Sequence, residues 1–379
     1  MSKISSKQNL LPAGFSDVLF PKSENQNHIV EKILNFFADF NYLRVNPPLI
    51  EFEETLFAKG PGSVLKENSF RIMDPISQKM MALRSDMTTQ ISRIASSRMS
   101  HYPRPLRISY SGDVLRVKSS NLNMDRQITQ VGAEIIGDFN SDSETEIILI
   151  GLKTLKSLNI KNLSIDLNFP MLTEKLLSKC SQELVPKILL GIEKKDYKLI
   201  QSFNFPNKKE ILNLMKSSGI FTSSSKYLSS LIDTNKNNKS IKYLVNIAQK
   251  IKENFSSVNI ILDPLEMNSF NYHDGITFTI FSKGIRTGIA KGGNYKTISQ
   301  ENATGISIYT ERLNYVLDLT IKRKIVLLKS LDFKNAEKLI KDGFTINFTN
   351  KKTKRKFLEI AKQMKCNYVF YKNKLEKVI

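Results

Sequence analysis

The sequence has no tryptophan, two cysteines and three histidines in 379 residues. Cys180 and Cys366 lie in unrelated contexts, and His28, His101 and His273 have no partners at the spacing of metal ligands. We therefore expect reduced thiols, no metal site and no cofactor. No run of about 18 apolar residues occurs, which argues against a spanning helix. The first residues also lack the pattern of a signal peptide, so we expect a cytoplasmic protein with no membrane partner.

Several common catalytic motifs are also missing. The sequence has no G-x-x-x-x-G-K-[ST] segment and no strand-linked G-x-G-x-x-G segment, so the usual nucleotide cradles are absent. No Ser/His/Asp or Cys/His nucleophile pattern occurs either. The residues by themselves therefore predict no catalytic group.

Basic residues exceed acidic ones, 57 against 36, for a formal net charge of +21. We attribute most of this charge to a composition rich in lysine and asparagine, and tRNA is not expected as a partner. Arginines are scarce, and a planar guanidinium grips a carboxylate or phosphate in a way that lysine cannot. Any single arginine has even odds of serving a structural ion pair, but as a cluster they indicate where a site lies. Most of them fall between residues 44 and 126: Arg44, Arg71, Arg84, Arg93, Arg98, Arg104, Arg107, Arg116 and Arg126.

The hydrophobic pattern predicts an α+β protein. Residues 1–320 alternate predicted helices and antiparallel strands, interrupted at about 171–256 by a helical insertion rich in Lys, Ser and Asn. Residues 321–379 change to a β-α-β-α-β order, which predicts a small α/β domain with a partly parallel sheet. Within the first part, a helix capped by Ser23 is followed by a strand over "LRVNPPLIEFEE", whose prolines place it at an edge or an interface.

The segment "ALRSDMTTQISR" places Asp86 and Thr88 at a predicted helix start. A helix cap is the simplest role for Asp86. The alternative is that Asp86 and Thr88 bind the ammonium group of an amino acid, since a carboxylate and a hydroxyl suit a cation.

A second polar group lies on the strand–loop–strand segment at residues 114–134. Arg116 follows the first strand, and the alternation of "RQITQVGAE" puts Gln130 and Glu134 on one face with Gly132 between them. This face is either a polar pocket floor or an exposed sheet face.

A third group, Tyr272, His273 and Tyr295, lies near glycine turns in "FNYHDGITF" and "IAKGGNYK". A structural hydrogen bond for His273 is as well supported as a ligand contact.

Taken in order, these segments resemble the class II aminoacyl-tRNA synthetase core, and specifically the histidyl-tRNA synthetase family. The first of the similar segments is "LPAGFSDVLFPKSENQNHIVEKILNFF", which resembles the dimer-forming motif 1. They continue with "LRSDMTTQISR", with "GDVLRVK" and "DRQITQVGAE" of motif 2, with "FNYHDGITF" and "GGNY", and with "ATGISIYTER" of motif 3. The tail resembles a shortened anticodon-binding domain. The resemblance implies an antiparallel sheet flanked by helices, and a histidine site formed by Asp86, Thr88, Arg116, Gln130, Glu134, Tyr272, His273 and Tyr295.

The sequence departs from that family at residues needed to form an adenylate. Lys118 replaces an acid, and Asn268 and Asn294 replace arginines. Met124 replaces the arginine of the motif 2 loop, and Tyr309 stands where a motif 3 glycine lets ATP approach. Because adenylation depends on stabilising charge at the transferring phosphates, these changes predict that the synthetase reaction is lost.

A histidine pocket without an ATP site resembles the regulatory subunits of ATP phosphoribosyltransferase, in the first step of histidine biosynthesis. The resemblance implies a non-catalytic subunit that supports a short catalytic subunit, a glycosyltransferase, and that relays histidine feedback as an allosteric hetero-oligomer. It also implies a dimer formed through the N-terminal helix and strand. A functional histidyl-tRNA synthetase, favoured by the retained Arg312, and an RNA-binding module are the alternatives.

Overall fold

A large mixed sheet forms the centre of the computed structural model, which describes residues 10–118, 124–138, 140–231, 238–267, 273–314, 317, 323–351 and 353–378. The chain divides into two units, residues 1–318 and 319–379. The strands of the first unit are β1 (Leu43–Val45), β2 (Ile50–Phe52), β3 (Arg71–Met73), β4 (Met80–Leu83), β5 (Leu106–Leu115), β6 (Gln127–Ile136), β7 (Leu163–Asn168), β8 (Gly219–Ile220), β9 (Asn259–Asp263), β10 (His273–Ser282), β11 (Ala290–Lys296) and β12 (Asn302–Tyr309).

The helices of the first unit pack against this sheet, and several of them follow one another in the middle of the sequence. They are α1 (Lys22–Asp39), α2 (Glu53–Leu56), α3 (Thr88–Ser96), α4 (Ser141–Ser157), α5 (Pro170–Leu177), α6 (Val185–Glu193), α7 (Tyr197–Ser202), α8 (Lys208–Ser217), α9 (Phe221–Leu231), α10 (Asn238–Asn254) and α11 (Thr310–Leu313). The stretch predicted as a helical insertion holds α5–α10, with the two-residue strand β8 between them. None of the helices in the described ranges is long and apolar enough to cross a bilayer.

Among the described residues, nine strands pair in the order β1-β5-β6-β12-β11-β10-β7-β9-β8. Most pairs are antiparallel, as expected, but β1 with β5 and β7 with β9 are parallel. The sheet is therefore mixed. A separate sheet, β2-β4-β3, contains the antiparallel pair β3 and β4.

The strand register brings distant segments together at the centre of the sheet. On β6, Glu134 lies opposite Gly305 of β12, and Gln130 lies opposite Tyr309. On the far side of β12, β11 pairs with β10, so that Tyr295 lies opposite His273. These pairings place side chains from three separate parts of the sequence on one sheet.

Helix α1 forms because its apolar residues recur at helical spacing, and Ile29, Ile33, Leu34 and Phe37 are buried. The prediction that Ser23 caps this helix is wrong. The N-cap residue is Pro21, whose ring restricts the backbone to a near-helical φ of −88°. Ser23 lies inside the first turn instead.

Two other strand predictions also need correction. The stretch predicted as a single strand from residue 43 is two short strands in different sheets, because Pro47 and Pro48 interrupt the pairing. β1 does lie at an edge of the large sheet, as the prolines indicated. The sequence reading also missed β12, which pairs with both β6 and β11.

The second unit has the predicted β-α-β-α-β order, built from β13 (Lys324–Lys329), α12 (Phe333–Lys341), β14 (Phe344–Thr349), α13 (Lys354–Gln363) and β15 (Tyr368–Tyr371). β13 pairs in parallel with β14 and β15, and an unpredicted strand, β16 (Lys374–Lys377), pairs antiparallel with β15. Two small apolar clusters, one around Phe357 and one around Leu339, form its core.

Candidate binding site

A small, partly open pocket lies on the central strands of the large sheet. Five of the predicted site residues line it: Asp86, Thr88, Glu134, His273 and Tyr295. The remaining wall is formed by Lys291, Gly292, Gly293, Gly305, Ile306, Ser307 and Tyr309. Of the other predicted residues, Gln130 and Arg116 contact residues of this wall, and Tyr272 lies outside the described residues.

Asp86 is buried and held from two sides. One carboxylate oxygen accepts the backbone N–H of Thr88 at 2.9 Å, and the other accepts the Gln130 side-chain amide at 2.9 Å. Gln130 in turn accepts the backbone N–H of Met87 at 3.0 Å. The N-cap residue of α3 is Met87, so the prediction that Asp86 caps the helix is wrong, although Asp86 bonds the first residue of α3 from its position in the pocket. Because each carboxylate oxygen has a further lone pair, Asp86 keeps the capacity to accept a ligand ammonium.

Glu134 is the most buried acid of the pocket, with 1% of its surface exposed. It accepts hydrogen bonds from the Tyr110 hydroxyl at 3.0 Å and, more weakly, from the Thr88 hydroxyl at 3.4 Å. Burial raises the pKa of Glu134 to about 8, against the lowering effect of the Tyr110 bond. The negative charge of Asp86 raises the pKa further. Glu134 is thus poised to bind a proton or a cationic ring near neutral pH.

His273 and Tyr295 face each other on neighbouring strands. His273 begins β10 and is half-buried, whereas Tyr295 is fully buried on β11. The predicted glycine turn is not a turn, because Gly292 and Gly293 lie inside β11. A Cβ at Gly293 would lie 2.7 Å from the His273 ring, so this glycine leaves room for the imidazole.

Cationic side chains also lie at the pocket, and Arg116 donates to the backbone carbonyl of Ser85, next to Asp86, at 3.2 Å. The guanidinium of Arg116 lies 5.8 Å from the centre of the Tyr309 ring, and that of Arg312 lies 4.3 Å from it. Lys291 lines the pocket nearby, and burial, then the charges of Arg312 and Arg116, lower its pKa. Because carboxyl groups and a cation line the same pocket, it can bind a zwitterion such as an amino acid.

Most of the arginines in the predicted cluster serve structural contacts. Arg84 donates to the backbone carbonyl of Asp113 at 2.7 Å. Three others form ion pairs at 2.5–2.7 Å: Arg93 with Glu51, Arg104 with Glu301, and Arg107 with Glu146. The cluster did indicate the region of the site. Arg116 contacts the pocket wall, whereas these four arginines form structural contacts.

Sequence reasoning missed Tyr110, Gly305 and Ser307. Tyr110 connects two pocket residues, since its hydroxyl bonds Glu134 and lies 3.2 Å from the Ser307 hydroxyl. A signal was available, because Tyr110 pairs with Gly132 and a Cβ there would lie 2.4 Å from the Tyr110 hydroxyl. Gly132, which lies between Gln130 and Glu134 in the sequence, therefore indicated that a large side chain packs against it.

The raised pKa of Glu134 predicts a pH-dependent stability. The protonated form is favoured in the folded state, so the contribution is fully present below pH 4.5, the ordinary pKa, and is lost as the pH rises through about 8. Between pH 6 and pH 9 the free energy of unfolding should fall by roughly 2–3 kcal/mol more for the native chain than for Glu134→Gln. Urea unfolding of both proteins at the two pH values measures this difference. Equal losses would mean that Glu134 titrates normally.

No metal centre accompanies the pocket: the described part of the chain contains no group of three or more His, Cys, Asp or Glu side chains able to hold an ion.

Comparison with known proteins identifies the family. A family model described as histidyl-tRNA synthetase matches residues 14–313. The ATP phosphoribosyltransferase regulatory subunit of Rhodospirillum centenum is 36% identical over 314 residues, covering 81% of this chain and 80% of the relative. This chain belongs to the ATP phosphoribosyltransferase regulatory subunit family. The family member of Gluconobacter oxydans is 35% identical, with 80% of each chain covered.

Solved structures place this regulatory-subunit family member in the class II synthetase fold. A protein from Bacillus halodurans described as an ATP phosphoribosyltransferase regulatory subunit/histidyl-tRNA synthetase has a TM-score of 0.78 at 19% identity, covering 92% of this chain and 94% of that chain. The histidyl-tRNA synthetase of Nostoc sp. PCC 7120 has a TM-score of 0.76 at 18% identity, covering 95% and 90%. The expected fold is confirmed.

Proposed function

We propose that this chain is a non-catalytic subunit that binds histidine and regulates a short catalytic subunit of ATP phosphoribosyltransferase. One observation carries the proposal. The pocket is lined by the acids Asp86 and Glu134 and by the cation Lys291, a combination suited to an amino acid, while the buried ring of Tyr309 lines the same pocket and stacks on the guanidinium of Arg312. The resemblance puts a glycine at that position, where adenine would otherwise approach.

In this proposal histidine binds along the pocket. Its ammonium group contacts Thr88 and Asp86, and Gln130 orients the Asp86 side chain. Its carboxylate contacts Arg116. Its imidazole ring lies beside Glu134, Tyr295 and His273, and the predicted contact with Tyr272 falls outside the described residues. The buried and partly protonated Glu134 supports this arrangement, because an imidazole ring can donate to or accept from it.

The absence of catalysis is supported by charge. Lys118 stands where the synthetase family has an acid. It is exposed, and its backbone N–H donates to the Asn68 side chain at 3.0 Å. Asn268, the other critical substitution, lies outside the described residues. An adenylating enzyme would need preorganised charges at both positions.

The proposed partners are a second copy of this chain and the short catalytic subunit. Exposed apolar side chains at the end of α1 and around β1 support the self-association: Phe40, Leu43 and Leu49 are each 40–46% exposed. Histidine bound in the pocket would then alter the activity of the catalytic subunit through the assembly. Such coupling is typically about 1–3 kcal/mol and is reciprocal.

Calorimetric titration of the purified chain with histidine, and separately with ATP, tests the proposal. We expect histidine to bind and ATP not to bind. Addition of the chain to a short catalytic subunit should raise the rate of condensation of ATP with phosphoribosyl pyrophosphate, and histidine should lower that rate. A chain that binds no histidine and leaves the catalytic subunit unaffected would contradict the proposal.

A functional histidyl-tRNA synthetase is the second candidate, because Arg312 keeps the motif 3 arginine and stacks on Tyr309. The same samples decide between the two. Histidine-dependent exchange of pyrophosphate into ATP would establish the synthetase and overturn the regulatory proposal.

A further inference from the structure

Side chains of α11 form hydrogen bonds with strand β6 next to the pocket. The pairing of β6 with β12 ends at Gln130 and Tyr309, one residue short of Thr129. Glu311 accepts the backbone N–H of Thr129, and the hydroxyl of Thr310 donates to its carbonyl at 3.4 Å. Two side chains of α11 therefore continue the strand pairing where the backbone of β12 stops.

Helix α1 is bonded to the same point. The side-chain amide of Gln26 donates to the Thr129 hydroxyl oxygen at 2.7 Å and to Glu311 at 3.3 Å. The Thr129 hydroxyl in turn donates to the Asp113 carboxylate on β5 at 2.6 Å. Gln26, Asp113, Thr129 and Glu311 thus join four elements, and we call them the α1–β6 junction.

The junction lies one residue from the binding site along two chain segments. Thr129 precedes Gln130, whose side chain holds Asp86. On the other segment, Glu311 precedes Arg312, which stacks on Tyr309 in the pocket wall. A shift of α1 that moves Gln26 therefore acts on both the floor and the wall of the pocket.

The charge of Glu311 makes the junction sensitive to its donors. Burial raises the pKa of Glu311 to about 7, and the hydrogen bonds from Thr129 oppose this rise. A half-buried carboxylate with a raised pKa depends on each donor that remains. Loss of the Gln26 amide should therefore be felt at Thr129, and not only at α1.

We propose that Gln26 is a positioning residue that couples α1 to the pocket floor, so that the stability of α1 and the binding of a ligand in the pocket depend on each other. The identity of that ligand as histidine rests on the proposed function, whereas the coupling itself does not. Because the coupling is a free energy shared by two sites, a change made at either one must appear at the other.

Hydrogen-exchange mass spectrometry on the full chain tests this coupling, with and without histidine. Histidine should slow exchange in α1 by about fivefold or more, the lower end of typical coupling, as well as in β6. In Gln26→Leu the protection of β6 should remain and that of α1 should be lost. Leucine is a good helix former, so α1 itself should persist. Asn27→Leu, an exposed change on the same helix, is the control and should retain both effects.

A ligand-free arm keeps the test decisive if histidine does not bind, a result that would defeat the proposed function alone. Gln130→Leu loosens the floor and should speed exchange in α1. Combined with Gln26→Leu, it should add nothing further there, because the link is already broken. Unchanged exchange of α1 in Gln130→Leu, or effects of the two changes that simply add, would overturn the coupling.

Discussion

Asp86→Asn is expected to weaken histidine binding by about 10- to 150-fold, since hydrogen bonds to charged groups contribute about 1.5–3 kcal/mol. The amide keeps the shape of the side chain and can still accept the backbone N–H of Thr88. It loses the negative charge that a ligand ammonium needs. It also turns a donor toward the Gln130 amide, which now donates to Asp86 at 2.9 Å. Calorimetric titration with histidine measures the change.

Two controls separate the ammonium contact from general damage to the pocket. Imidazolepropionate lacks only the α-amino group of histidine, so its affinity should be similar for the native chain and for Asp86→Asn. Asp74→Asn is the matched control variant, because Asp74 lies in an exposed turn and its carboxylate accepts hydrogen bonds from Ser77 and Ile76, outside the pocket. Equal loss of affinity for both ligands would indicate a collapsed pocket, and no loss for histidine would show that Asp86 only holds the backbone N–H of Thr88 and the Gln130 amide.

Gly305→Ala should destabilise the fold and remove ligand binding together. A Cβ at this position would lie 1.6 Å from a carboxylate oxygen of Glu134, which is buried and cannot move freely. Overpacking of this kind costs about 1–3 kcal/mol, and the displaced carboxylate would also leave Tyr110 without its acceptor. Urea unfolding and histidine titration measure the two effects.

Removal of the obstructing carboxylate provides the control for this clash. In a Glu134→Ala background the three atoms nearest to the added methyl group of Gly305→Ala are removed, so the double variant should be more stable than the sum of the two single changes predicts. Simple additivity would mean that Gly305 is required for a reason other than the space taken by Glu134.

Local patterns in the sequence predicted much of the fold. The apolar spacing was sufficient to predict α1. The alternation in β6 was sufficient to place Gln130 and Glu134 on one face. β12 was missed because its small and polar residues, among them Gly305 and Ser307, give a weak strand signal. Its role depends on which strands pair with it, and that information is not local.

The sequence by itself determined the types of chemistry available: acids at Asp86 and Glu134, a guanidinium at Arg116 and, by resemblance, a class II synthetase core. Only the tertiary structure decided which groups meet. It placed Gly305 against Glu134, moved Lys291 into the pocket wall and set most of the other arginines of the predicted cluster into structural contacts. It also bonded Gln26 to Thr129, 103 positions further along the chain. These contacts depend on the pairing register of distant strands and on helix packing, which the whole hydrophobic core sets and no short stretch of sequence specifies.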